Sequence, residues 1–144
     1  MIDAVLLERV RAAKSASRAL ASLSGTVKDT ALRAMAARLR AERETILAAN
    51  ARDVAGADAA GIAAPMRKRL VLDAAKIEGM ASALEEIAGF PDPVGRLEDP
   101  VRRPDGLQVA RMRVPLGVIA MVYESRPNAT SDAVTRPIRI PARS

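Results

Sequence analysis

The sequence contains no cysteine and no histidine. There is no disulfide, no thiolate nucleophile and no Cys/His metal site. A Ser-His-Asp triad and a histidine general base are excluded as well. A carboxylate-only Mg²⁺ or Ca²⁺ site is left open by composition, but no EF-hand spacing occurs, so no metal is expected. Aromatics are almost missing: one Phe (Phe90), one Tyr (Tyr123) and no Trp. Base-stacking surfaces for nucleic acid are therefore excluded. Long apolar runs are missing too. The longest, Val114–Tyr123, is interrupted by Pro115 and Gly117 and is too short for a bilayer, which takes about 20 residues. Met1-Ile2-Asp3 lacks the basic start of a signal peptide, so the expected location is the cytoplasm, with no membrane partner. In that compartment the Asn128-Ala129-Thr130 glycosylation pattern goes unused.

What is present is a globular composition: 144 residues, 49% apolar and 28% charged, enough for one ordinary domain. The core must come from Ala, Leu, Val, Ile and Met, and the 30 alanines favour closely approaching helices. The net charge is +6, but it is spread evenly, +3 on each side of residue 90, with no Lys/Arg stripe. Arg outnumbers Lys 19 to 4, the mark of a G+C-rich coding bias. A nucleic-acid partner is not expected.

The chain reads as two unlike parts. Residues 2–23 carry helical spacing, with Val5, Leu6, Val10, Ala13 and Leu20 on one face. Ser24-Gly25-Thr26 breaks the helix and caps the next. That next helix has the cleanest period (Leu32, Met35, Ala36, Leu39, then Ile46 and Leu47) and continues to a stop at Gly61. Pro65 restarts a short helix through Leu70, and Asp73 caps another, Ala74–Ala88, with Ile77, Met80, Ala81, Leu84 and Ile87 inward. From Pro91 the pattern changes. Arg103-Pro104-Asp105-Gly106 is a turn signal, followed by the alternating strand Leu107–Val114, with Leu97–Arg103 as its hairpin partner. Gly117–Tyr123 reads as a parallel strand buried on both faces. Such a strand needs neighbours and a crossover helix. The sequence after Tyr123 has little room for either, so the α/β sheet reads as begun and then cut short.

Val114-Pro-Leu-Gly-Val-Ile-Ala-Met-Val-Tyr-Glu-Ser-Arg-Pro-Asn128 resembles a signature of γ-glutamyl phosphate reductase, a family of the aldehyde dehydrogenase superfamily. Ala12–Leu20, Ile46–Asp53, Phe90-Pro-Asp-Pro-Val-Gly95, Pro104-Asp-Gly-Leu107 and Arg111–Gly117 agree with it, in order, over about residues 5–133. The resemblance implies an α/β fold. Residues 1–90 are the helical N-terminal part of a cofactor-binding domain, and 91–116 a loop and β-hairpin of the bridging or oligomerisation type. Residues 117–133 are the first core strand of a Rossmann-type domain and an active-site loop. Residues 134–144 depart from the pattern and are expected to be out-of-frame translation, leaving a fragment.

The resemblance also implies an activity: NADPH-dependent reduction of L-glutamyl 5-phosphate to L-glutamate 5-semialdehyde and phosphate in proline biosynthesis. A cysteine thiolate displaces phosphate and hydride transfer follows. With no cysteine, this chain is expected to be inactive alone. Asn128 takes the role of the side-chain amide that stabilises the oxyanion; otherwise it makes an Asx turn. Tyr123, Glu124 and Ser125 leave the carboxyl end of the expected strand, where open α/β sheets bind ligands, and are expected to line the cofactor cleft. Arg126 either binds the substrate phosphate or carboxylate or pairs with Glu124 or Asp132. No Gly-rich phosphate loop is present, since the glycines are scattered singly. The implied partners are a small-molecule substrate and a second copy of the chain. A different reading makes residues 2–89 a non-catalytic helical interaction module, or an interfering fragment, with strand Leu107–Val114 pairing to a partner edge.

Overall fold

The structure is a computed structural model and describes residues 4–124 and 126–133. Among them are five helices and two strands: α1 (Ala4–Ala21), α2 (Gly25–Ala41), α3 (Arg43–Ala59), α4 (Ala64–Leu70), α5 (Ala74–Gly89), β1 (Leu97–Arg102) and β2 (Gln108–Met112). The chain divides into two compact units, one built on residues 26–90 with 121–133, the other on 4–25 with 91–120. The expected tail, 134–144, and Ser125 lie outside the described residues.

The first unit holds the core. Leu32 and Ala36 of α2 and Ile77, Ala81, Leu84 and Ala88 of α5 are buried, with Ala129. The spacing of 4 on α2 and 4, 3 and 4 on α5 is the helical period that places these residues on one face. The small Ala side chains at 36, 81 and 88 add little bulk to these buried faces. The Arg40 guanidinium ties α2 to α5 on the surface. Its Nε and Nη2 reach Glu78 at 2.7–3.1 Å, and Nη1 and Nη2 reach Glu85 at 2.6 and 2.9 Å. Both carboxyls are held below their usual range by that guanidinium.

Helix ends follow local chemistry. Asp73 Oδ1 accepts the Lys76 N–H at 2.7 Å, capping α5 as expected. After α3, Gly61 adopts φ +65°. Ile62 N–H then reaches Ala57 O and Gly61 N–H reaches Asp58 O, the paired bonds of a Schellman stop. The continuous helix expected through residues 26–60 is interrupted once, at Glu42 (φ −96°, ψ 13°). The hydrogen bonds Glu42 N–H to Arg38 O and Ile46 N–H to Glu42 O carry the chain across the break. No Gly or Pro marks it, so the sequence holds no signal for it.

In the second unit, β1 and β2 pair antiparallel as expected, Leu97 opposite Met112 and Arg102 opposite Gln108. The turn closes with Gly106 N–H to Arg103 O at 2.9 Å, Gly106 at φ +87°, and Asp105 Oδ1 accepting Leu107 N–H at 3.0 Å. A bulge between Glu98 and Val101 accommodates Asp99 (φ 49°) and Pro100, which has no N–H for the ladder. All of β2 is exposed, so its alternation does not separate a buried from a wet face. The apolar face expected for α1 is also exposed, with Val5, Leu6 and Val10 each about half accessible.

Residues 117–123 correct the expectation of a doubly buried strand. They form no strand, and Val118, Ile119, Met121, Val122 and Tyr123 are exposed, Val122 fully. The reason is non-local. Burial on both faces requires a strand on either side, and the two strands among the described residues pair with each other.

Candidate functional site

The Pro-Asn sequence starts a helical turn, seen over the described residues 129–133, in the unit that holds the core. Pro127 fixes its own φ and cannot donate, which suits the entry to a turn. Ala129 N–H then reaches Arg126 O at 3.0 Å and Asp132 N–H reaches Asn128 O at 3.1 Å. Ser131 Oγ donates to the same Asn128 carbonyl at 2.8 Å. Ala129 and Ser131 are buried, so this turn is seated by one face. Tyr123 OH and Thr130 Oγ1 share a hydrogen bond of 2.6 Å that links the segment before the turn to the turn itself.

Asn128 is exposed, and its Nδ2 donates to Asp132 Oδ2 at 3.3 Å. The side chain is held by its neighbour one turn on, rather than by the Asx-turn geometry that the sequence allows. Arg126 is exposed and forms no ion pair among the described residues; neither Glu124 nor Asp132 takes it. Glu124 is exposed.

Two clefts flank the Pro127 turn. The first, about 360 Å³, brings Tyr123 and Arg126 together with Asn50 and Asp53 of α3 and Leu72. The second, about 340 Å³, lies among Asn128 and Asp132 of the turn, Arg69 of α4, and Lys76, Gly79 and Met80 of α5. Among the expected site residues, Tyr123 and Arg126 share the first cleft and Asn128 borders the second.

Three residues do not stand out in the sequence. Arg69 and Lys76 show only charge, and charge on a helix usually faces water. Asn50 lies in a motif that carries the resemblance, with no signal of burial. Its Nδ2 donates to Leu70 O at 2.9 Å, and its Oδ1 accepts Leu72 N–H at 2.8 Å. Leu70 ends α4, so this buried amide satisfies a carbonyl orphaned at a helix terminus. Outside the clefts, Arg67 bonds Asp58 through two hydrogen bonds and holds that carboxyl below its usual range. This ion pair is exposed and joins α3 to α4, a structural task. Among the described residues no group of three or more metal-ligating side chains is gathered, and no helix is long and apolar enough to cross a membrane.

The arrangement defines a class first: an α/β segment in which packed helices lead to an antiparallel hairpin and then to a polar Pro-Asn turn seated on the helices. No family model matches the chain. Individual proteins do. The chain is 53% identical over 137 residues to γ-glutamyl phosphate reductase of Sorangium cellulosum, covering 92% of this chain and 32% of that protein. The Caulobacter vibrioides enzyme of the same name is 47% identical over 129 residues, 90% of this chain and 31% of that protein. The crystal structure of γ-glutamyl phosphate reductase from Thermotoga maritima superposes with a TM-score of 0.85 at 38% identity, over 90% of this chain and 31% of that one. The Saccharomyces cerevisiae structure gives 0.79 at 30% identity, over 85% and 31%.

By sequence and by fold, this chain is thus similar to the N-terminal third of γ-glutamyl phosphate reductases, which bears out the resemblance read over residues 5–133. It spans about a third of the length of the curated relatives it matches.

Proposed function

We propose that this chain is the opening third of a γ-glutamyl phosphate reductase. The activity is NADPH-dependent reduction of L-glutamyl 5-phosphate to L-glutamate 5-semialdehyde and phosphate, in the cytoplasm. The observation that carries the reading is 53% identity over 137 residues, joined to a TM-score of 0.85 against a solved reductase. On this reading residues 1–90 are the helical part of the cofactor-binding domain, 91–116 a hairpin for association between copies, and 117–133 the segment that delivers the active-site loop; the segment 134–144 is foreign to the enzyme.

The roles follow from chemistry. Attack on an acyl phosphate places negative charge on the carbonyl oxygen, and a preorganised amide N–H stabilises it. Asn128 supplies Nδ2 for that purpose, and its hydrogen bond to Asp132 at 3.3 Å fixes the amide before substrate arrives. Arg126, exposed and without an ion pair among the described residues, offers a planar fork to the substrate's phosphate or carboxylate. Tyr123, Glu124 and Ser125 line the approach of the cofactor. A nicotinamide cofactor supplies hydride when bound. Its phosphates find no Gly-rich cradle among the described residues. The nucleophile is a cysteine of the part of the enzyme this chain does not match.

The test is a chimera in which residues 5–133 replace the matching segment of the Sorangium cellulosum enzyme. Phosphate-dependent reduction of NADP⁺ by glutamate 5-semialdehyde is the assay. Turnover within about tenfold of the parent is expected, and Asn128→Ala is expected to lower kcat by about 10²–10³ with a smaller change in KM. A folded, soluble chimera without turnover overturns the proposal.

A second reading rests on one observation, the exposure of Val118, Ile119, Met121 and Val122. Under it the chain is a non-catalytic helical module whose apolar segment meets another polypeptide. An inactive chimera beside a monodisperse, cooperatively melting 144-residue chain favours this second reading.

A further inference from the structure

One hydrogen bond brackets the turn that carries Asn128. Tyr123 OH and Thr130 Oγ1 meet at 2.6 Å, and Arg126, Pro127 and Asn128 lie between them in the chain. The two ends are held unequally. Thr130 stands between Ala129 and Ser131, both buried, so its backbone is seated. The turn is tied further by Asp132 N–H and Ser131 Oγ, which donate to Asn128 O at 3.1 and 2.8 Å. The chain that enters the turn has no such support. Residues 121–124 are exposed and belong to no helix or strand, and no backbone hydrogen bond fastens them among the described residues.

The phenol is therefore the tie that fixes where the chain enters. Tyr123 is the single tyrosine of the sequence and is 45% exposed, so burial does not account for its ring. Pro127 carries the constraint onward. Its ring locks its own φ and disfavours the helical region for Arg126, which leaves fewer soft torsions between Tyr123 and Asn128. The Asn128 amide is exposed, and its bond to Asp132 is long at 3.3 Å. Its aim depends also on where the backbone carries it, and an oxyanion donor works only when it is preorganised.

We infer that the Tyr123–Thr130 pair is a clasp that positions Asn128. Both hydroxyls act through Asn128 and not on the substrate. The clasp rests on the geometry, and its use in catalysis rests on the reductase reading.

Two measurements test it. In the 144-residue chain, NMR follows the Asn128 side-chain amide and the Ala129 N–H. Tyr123→Phe and Thr130→Val each remove one hydroxyl and keep the shape. Both are expected to shift these signals alike and to speed exchange at Ala129 by about two- to tenfold, the worth of one neutral hydrogen bond. The double variant is expected to go no further than either single one. Thr130→Ser keeps a hydroxyl and is expected to keep the parent signals, so the two Thr130 variants decide even where the Tyr123 variant does not fold. In the chimera carrying residues 5–133, Tyr123→Phe is expected to lower kcat about tenfold, part of the roughly 10²–10³ that the donor supplies, with both KM values within about twofold. In an Asn128→Ala background the same change is expected to alter kcat by less than about twofold, because the group it positions is gone.

A merely structural role lowers kcat in both backgrounds, and a role in lining the cofactor approach raises the KM for NADP⁺ instead; either result overturns the inference. Unchanged Asn128 and Ala129 signals overturn it whatever the chimera does. Shifted signals beside an inactive chimera leave the clasp standing and remove the reductase reading. An active chimera indifferent to Tyr123→Phe does the reverse.

Discussion

Replacing Asn50 tests how the helical unit is held at its least obvious joint. The side chain is 7% exposed, yet it makes two hydrogen bonds, to Leu70 O and from Leu72 N–H. Asn50→Leu keeps the size and removes both partners. Two backbone groups are then left wanting, each worth about 1–3 kcal/mol when buried. Leu70 and Leu72 are only half-buried, so water reaches them in part and the sum, about 2–6 kcal/mol for the two groups, falls toward its lower end. The expected loss is about 2–3 kcal/mol by urea unfolding followed by far-UV circular dichroism, or roughly 10 °C in Tm for a unit of this size. Asn50→Asp separates the two bonds. The acceptor for Leu72 N–H survives, but the donor to Leu70 O is gone while the carboxyl is ionised. Burial and the facing carbonyl raise the folded-state pKa of the new carboxyl above its unfolded value near 4. The folded state then binds more protons than the unfolded one between those two values. The variant's deficit relative to the parent is therefore smallest below about pH 4 and grows as pH rises through the folded-state value. A neutral Asn50→Leu, within about 0.5 kcal/mol, refutes the reasoning, as does an Asp variant whose deficit is independent of pH.

Two further outcomes follow from other joints. Glu78 and Glu85 have folded-state pKa values depressed by Arg40, so their contribution is present above the ordinary carboxylate range and is lost as pH falls through the depressed values. Arg40→Gln should flatten the acid limb of stability against pH, converge with the parent at low pH, and show less sensitivity to added salt; an unchanged acid limb refutes the clamp. Gly61→Ala, at φ +65° with nothing within 4 Å of the added methyl, should lose about 1–2 kcal/mol for backbone reasons alone, and Gly61→Asn less; equal urea midpoints for Gly, Asn and Ala contradict that account.

The features legible in the sequence are those fixed within a few residues. The Asp73 cap, the Gly61 stop and the Arg103–Gly106 turn each need only the chain's own adjacent groups, and each forms as read. The α2 and α5 core faces are legible because a period of 3.6 places them together before any partner is known. Residues 117–123 are not, because an apolar run states that burial is wanted and not what supplies it. Asn50 is illegible for a related reason. An amide on a helix reads as a solvated residue until the carbonyl it serves, 20 positions on, is brought to it. The break at Glu42 has no breaker residue to announce it.

The candidate site shows the same division. Asn128 and Arg126 are reached by resemblance, and the structure adds what the resemblance omits: which side chains stand around them. Many of the 19 arginines carry charge on open surface, and several are committed to carboxylates, as Arg40, Arg67 and Arg113 are to Glu78, Asp58 and Glu98. Open surface arginines are ordinary and carry no argument. Arg69 and Arg126 differ from them in place, because each borders a cleft on one side of Pro127 and lacks an ion pair among the described residues. A charge that faces a concave, partly apolar wall acts through a lower effective dielectric than one on open surface, so its preference for an anion is stronger there. The even spread of the +6 charge along the sequence thus says nothing of where a guanidinium without an ion pair meets a cavity, and Arg69 and Arg126 stand out only once the fold sets each beside a cleft.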